Sequence, residues 1–222
     1  MKTICEHKLN VNFGKCVTGF HMLNKCPIKE AIWEDVNSLI FSSCGIDIYS
    51  KSDGSHLPGM DIDSSFGRLS NKSVKYLKNK KNIDISSYRL TNTCSENVCG
   101  NPDEIIAEIK KRKNFDYYSI IAREETSENI SYDWFIIPSN HEVFNPSSFT
   151  WSPTTGKRGK NKGVQVGWET NEVNGCKMSI TFSMSSQLWI HINVDMIREF
   201  IKASVTVKNQ PKLNYIELSD LF

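Results

Sequence analysis

The sequence predicts an α/β protein in which a central mixed β-sheet is flanked by helices. Apolar residues recur at spacings of three and four over 27–43 and again over 101–113, the pattern of a helix with one buried face. Short stretches rich in Ile, Val, Tyr and Trp surround them, bounded by Gly, Ser, Asn and Lys, as strands are. A helix set between strand pairs makes a mixed sheet the natural arrangement. With 222 residues, 39% hydrophobic and 23% charged, the chain is expected to form one domain over 1–222.

The first helical stretch opens at Pro27, where a first turn tolerates proline, and buries Ile28, Ile32, Val36, Leu39 and Ile40. Glu30 and Glu34 lie one turn apart on another of its faces, and Gly45 supplies a stop. Residues 46–49 and a turn at 52–55 follow. The stretches 57–62, 68–76 and 83–91 then read as an antiparallel meander. Asn101 caps the second helix, Pro102 takes its first position, Asp103 and Glu104 its positive end and Lys110–Lys113 its negative end.

Two further strands are expected at 117–123 and 132–137, the second stopped by Pro138. Residues 140–162 show no periodicity and end in a basic run, which marks a candidate binding loop. Asn174-Gly175 predicts a tight hairpin between 163–169 and 177–192, and 194–203 reads as a final helix. Trp33, Trp134, Trp168 and Trp189 fall in periodic stretches and are expected in the core.

A formal net charge of +2 does not by itself point to a polyanion, but the cations cluster at 78–81, 110–113 and 157–162. Seven scattered cysteines cannot all pair within one chain, which suits a reducing, cytoplasmic setting. Cys5, His7, Cys16 and Cys26 lack the paired CxxC spacing of a zinc knuckle. The amino-terminal residues carry no apolar leader and no stretch is long and apolar enough for a membrane span. Walker A, GxGxxG, GxSxG, HExxH and EF-hand patterns are absent.

The stretch SHLPGMDIDSSFGRLSNKSVKY places Asp61 after a Pro58-Gly59 turn and brings Ser70 and Lys72 out two apart, hence on one face of the following strand. Phosphodiester hydrolysis needs a divalent metal held by one or two carboxylates, with a cation near the phosphate. Asp61 and Lys72 could supply these if their strands pair, with Glu34 or Glu30 as a further acid. Asp61 closing a turn and Lys72 facing solvent is the plain alternative.

This pattern of a helix with a glutamate, a turn with an aspartate and a strand with Lys72 resembles the PD-(D/E)XK nucleases, in particular type II restriction endonucleases. The resemblance covers roughly 27–137. Two departures stand out: Met60 precedes Asp61 where that family has proline, and Ser70 holds the place of the usual acid. Glu34 is the preferred substitute, with Glu30, Asp84 and Asp63 as others.

The resemblance implies a restriction-endonuclease-like fold and Mg²⁺ held by Asp61 and Glu34. It also implies a homodimer that cuts both strands of palindromic double-stranded DNA to leave 5′-phosphate ends. Candidate DNA contacts are His56 in the turn, Lys75, the row Ser87, Arg89 and Thr91, and the basic run Lys157, Arg158, Lys160, Asn161 and Lys162. Residues 140–192 would serve in recognition. A DNA-binding module without catalysis and a nicking repair nuclease are the alternatives.

Overall fold

The computed structural model describes residues 5–51, 59–77 and 80–220. The chain begins with α1 (Glu6–Leu23) and α2 (Glu30–Ser43), followed by β1 (Ile48–Lys51), β2 (Ile62–Ser64), β3 (Gly67–Lys75) and β4 (Asn82–Arg89). Helix α3 (Pro102–Arg112) leads to β5 (Tyr117–Glu125) and β6 (Asn129–Pro138). Strands β7 (Trp151–Thr155), β8 (Gln165–Thr170), β9 (Lys177–Thr181), β10 (Gln187–Asn193) and β11 (Ile201–Lys208) precede a short α4 (Tyr215–Ser219).

The strands form two sheets. The first runs β1-β2-β3-β5-β6-β11 and is mixed, with β3 and β5 parallel and every other neighbour antiparallel. The second runs β4-β10-β9-β8-β7 and is antiparallel throughout. The protein is thus α/β, with α1 and α2 on one face of the mixed sheet and α3 together with the second sheet on the other. On the first face, Leu9, Phe13 and Val17 of α1 and Trp33, Ile40 and Phe41 of α2 pack on Leu69, Ile121, Trp134 and Ile136. The other face, with Val74, Ile120, Ala122 and Phe135, packs on Ile83, Ile85, Met178 and Ile190 of the second sheet and on Ile105 and Ile109 of α3. Strand β5 is therefore buried on both sides, and its residues 118–122 are apolar or small without alternation.

Several elements depart from the sequence reading, each for a local reason. The sequence signals of helix α1 are weak, because Asn10, Asn12, Gly14 and Gly19 mask a stripe at a spacing of four: Leu9, Phe13, Val17 and His21. Helix α2 starts at Glu30 rather than residue 27, and its buried face is Trp33, Asn37, Ser38, Ile40 and Phe41. Ile32 and Leu39 are exposed. The predicted strand 57–62 yields to a β2 that begins at Ile62, and residues 57 and 58 lie outside the described residues.

The meander stops at β3. Strand β4 crosses to the second sheet and pairs with β10. The predicted helix at 194–203 is instead two 3-10 turns, Val194–Met196 and Arg198–Phe200, followed by β11. Its β-branched Val205-Thr206-Val207 favours a strand, which closes the edge of the mixed sheet beside β6.

Residues 140–162 are not one open loop. They contain 3-10 turns at Glu142–Phe144 and Pro146–Ser148 and the edge strand β7, with Val143, Phe144, Phe149 and Trp151 buried. The hairpin at Asn174-Gly175 forms as read, with both residues at positive φ (52° and 77°). The stretch 177–192, however, is two strands, β9 and β10, separated by a turn. Helix α3 matches its sequence signals closely: Asn101 caps it by accepting from the Glu104 amide at 3.0 Å. All seven cysteines are free thiols. No helix among the described residues is long and apolar enough to cross a membrane.

Candidate active site

The site forms where β2 parts from β3. Ile62 and Leu69 are the last register pair of the two strands on that side, and the Asp61 amide still donates to the Leu69 carbonyl at 2.8 Å. Beyond that point the chain turns away through Gly59, whose φ of +82° suits glycine. A Cβ there would stand 2.9 Å from the Arg112 carbonyl at the end of α3. The next β3 amide, that of Asn71, has lost its strand partner and donates to Asp61 Oδ2 at 2.5 Å. The carboxylate thus prolongs the ladder by one bond beside an open stretch of β3.

Lys72 enters the same opening. Its side chain is 13% exposed, and Nζ stands 2.6 Å from Glu30 Oε1 in the first turn of α2. Glu34 follows one turn later on the same helix face. Burial raises the Glu34 pKa to about 7, with the Asp61 and Glu30 charges adding to the rise and Lys72 opposing it. Asp61 is also raised, first by burial, while Lys72, the Asn71 amide and the Ser70 hydroxyl pull the other way. Ser70 is buried beside it. Three carboxylates and one ammonium therefore share one field, and negative charge is in excess.

A polar cluster under the site ties the helix to the sheet. Asn37 Nδ2 donates to Asn71 Oδ1 at 2.5 Å and to Ser119 Oγ at 2.9 Å. Trp134 Nε1 donates to the same hydroxyl at 2.9 Å, and Trp33 Nε1 to the Ser119 carbonyl at 3.2 Å. Asn71 thus links the two layers, its amide on Asp61 and its side chain on α2.

Among the described residues, no three His, Cys, Asp or Glu side chains are grouped so as to hold a metal ion. Mg²⁺ asks for less, commonly one or two carboxylates with water filling the remaining positions. Asp61 and Glu34 are hard oxygen donors whose mutual repulsion a divalent cation would relieve, so their chemistry fits such an ion.

The other candidates scatter. His56 lies outside the described residues. Asp63 faces Arg68 across the β2–β3 turn. Asp84 is in the second sheet, bound to His191, and does not join Asp61 and Lys72. Lys75 is exposed at the end of β3, 3.6 Å from Glu125. Ser87 and Arg89 belong to β4 and so to the second sheet, and Thr91 lies past the strand in a turn. The expected row on one nuclease sheet is therefore not formed.

Lys157, Arg158, Lys160 and Lys162 are exposed and Asn161 half-buried at the tip of the β7–β8 hairpin, closed by the Gly156–Lys162 bridge. Lys113 drops out of the basic clusters. Its Nζ donates to the Ser139 and Phe144 carbonyls at 2.8 and 3.0 Å, and burial lowers its pKa to about 8. Trp151 packs under the loop, its Nε1 donating to the Pro146 carbonyl at 3.0 Å, whereas Trp189 is half-exposed rather than in the core.

The sequence reading offered Glu30 only as an alternative acid, not as the partner of Lys72, and did not single out Asn71 or Asn37. The one signal for Asn37 was a polar residue interrupting the helix stripe between Trp33 and Ile40. Comparison with protein-family models, with curated proteins and with solved structures finds no match.

Proposed function

We propose that the chain is a Mg²⁺-dependent endonuclease for double-stranded DNA, with a restriction-endonuclease-like first sheet. The observation that carries this reading is the meeting of Asp61, Glu34 and Lys72 at the open edge of β3. These three come from separate elements and were the ones expected from the sequence. The order α2, β1–β3, α3 and β5 supports the helix, meander, helix and strand order that the PD-(D/E)XK resemblance implies, although β4, expected in that meander, joins the second sheet.

In this reading Asp61 and Glu34 would hold the ion, and Ser70 steadies Asp61 in place of the usual acid. Bound Mg²⁺ would supply charge neutralisation and a water of lowered pKa. Lys72 leaves Glu30 to orient the attacking water; as the water oxygen bonds to phosphorus the P–O3′ bond breaks, the departing 3′ oxygen takes a proton from solvent, and a 5′-phosphate and a 3′-hydroxyl result. The basic hairpin at 157–162 follows the DNA backbone. A homodimer on a palindromic site would cut both strands.

A second reading has its own support. Asp61 satisfies the Asn71 amide and Lys72 is already paired with Glu30, as in a binding module that cleaves nothing. Purified protein incubated with plasmid and phage DNA in Mg²⁺ or chelator, beside Lys72→Ala, separates the two. Discrete fragments that require Mg²⁺ and vanish in the variant support the nuclease. Binding without cleavage across metals and substrates overturns it, and nicked circles alone would point to a repair nuclease of the same kind.

A further inference from the structure

The outward face of the second sheet carries a second constellation. Asp84 on β4 and His191 on β10 are register partners, and Ser179 on β9 is diagonal to His191, two residues along from its partner Lys177. His191 Nδ1 lies 2.9 Å from Asp84 Oδ1, and His191 Nε2 lies 2.9 Å from Ser179 Oγ. The intervening residues Ile83, Ile85, Met178, Ile180, Ile190 and Ile192 point into the core, so all three polar side chains project to the open side.

Cross-strand polar pairs are ordinary on a solvated sheet face, but the order of bonds here says more. A carboxylate only accepts, so Asp84 places the proton of a neutral imidazole on Nδ1. Nε2 is then a bare acceptor, and its partner is a serine hydroxyl. That is the orientation a general base needs to draw a proton from a nucleophile. The His191 side chain is 25% exposed and that of Asp84 33% exposed, so both are shielded yet reachable.

Trp189 stands directly across from Ser179 and offers an apolar surface beside the hydroxyl. Lys177 and Thr181 flank Ser179 on the same face of β9 as side-chain donors. Lys177 is at present bonded to Glu169.

We propose that Ser179, His191 and Asp84 form a nucleophilic site, separate from the carboxylate cluster, that accepts acyl groups from small activated esters. Ser179 Oγ bonds to the ester carbonyl carbon while its proton passes to His191 Nε2. The carbon–oxygen bond to the alcohol breaks, and the departing alkoxide takes that proton. Water, deprotonated by the same nitrogen, then cleaves the acyl-serine to free the carboxylic acid and restore the hydroxyl.

The test uses the full-length protein in chelator, with a fluorophosphonate probe. Ser179 Oγ bonds to phosphorus, fluoride leaves, and the hydroxyl proton goes to His191. Intact mass and peptide mapping should find one adduct, on Ser179, and none in Ser179→Ala. His191→Gln should slow labelling at least ~100-fold, while Lys208→Ala, exposed at the end of β11, should label like wild type. Thermal melts check that each variant is folded. No adduct at Ser179 in the wild type, or labelling of a folded His191→Gln at the wild-type rate, would overturn the proposal. Because the assay contains chelator and no DNA, its outcome is independent of whether the chain cleaves DNA.

Discussion

Asp61 Oδ2 accepts the Asn71 amide at 2.5 Å, in the place where a strand carbonyl would stand had β2 continued alongside β3. One carboxylate therefore has a structural duty and, in the proposed nuclease, a chemical one. Asp61→Asn keeps an acceptor for that amide and should lose little stability, whereas Asp61→Ala leaves it unpaired at a cost of about 1–3 kcal/mol. Both should lose Mg²⁺-dependent cleavage by at least ~100-fold. Urea titration beside plasmid cleavage checks the separation.

Glu34 sets a pH dependence. Its folded pKa of about 7 lies above its ordinary 4.5, so the stability it contributes is complete below about 4.5 and is lost as pH rises through about 7. Glu34→Gln should melt like wild type at pH 4. At pH 8 it should melt ~2–4 °C higher, an effect of about 1 kcal/mol once solvent screening of a half-buried group is allowed for. Mg²⁺ should raise the wild-type melting temperature at pH 8 and do less for the variant. Calorimetry across that range, with and without the ion, measures both.

The two carboxylates and the lysine were legible because each follows from a local rule: a helix face, a turn and strand alternation. Ser70 and Lys72, two residues apart, could be placed on one face without knowing what β3 pairs with. The fate of β4 could not be read this way. Its alternation of Ile83 and Ile85 with Asp84 and Ser86 suits either sheet, and only its pairing with β10, more than a hundred residues later in the chain, decides. For the same reason the Ser179–His191–Asp84 arrangement was invisible, as its members come from three strands.

Asn37 is fully buried and bonds to both Asn71 and Ser119. Asn37→Ala should cost about 1–3 kcal/mol, since it removes partners from buried polar atoms. It should also weaken cleavage, because α2 carries Glu30 and Glu34. Chemical denaturation with a cleavage assay on the folded fraction distinguishes the two effects.

Gly59 holds the turn before Asp61. Gly59→Ala forces a Cβ to within 2.9 Å of the Arg112 carbonyl at φ +82° and should destabilise by about 1–3 kcal/mol. A urea midpoint lowered with an unchanged slope is the expected result.

The exposed cations of the β7–β8 hairpin should contribute to DNA affinity through counterion release. Replacing Lys157 and Lys160 together by alanine should reduce the slope of log K against log[salt] by ~1–2, with an unchanged melting temperature. Filter binding over a salt series reads this directly.

Strand β7 also bears on how copies of the chain can meet. It lies at the border of the second sheet, and Pro153 in its middle has no amide hydrogen to offer an incoming strand. The like-charged hairpin tip begins just beyond it. Two molecules approaching along that border would face a gap in the hydrogen-bond row and mutual repulsion, so the second sheet is protected there from runaway lateral growth. The homodimer of the proposed nuclease should therefore assemble through some other part of the surface.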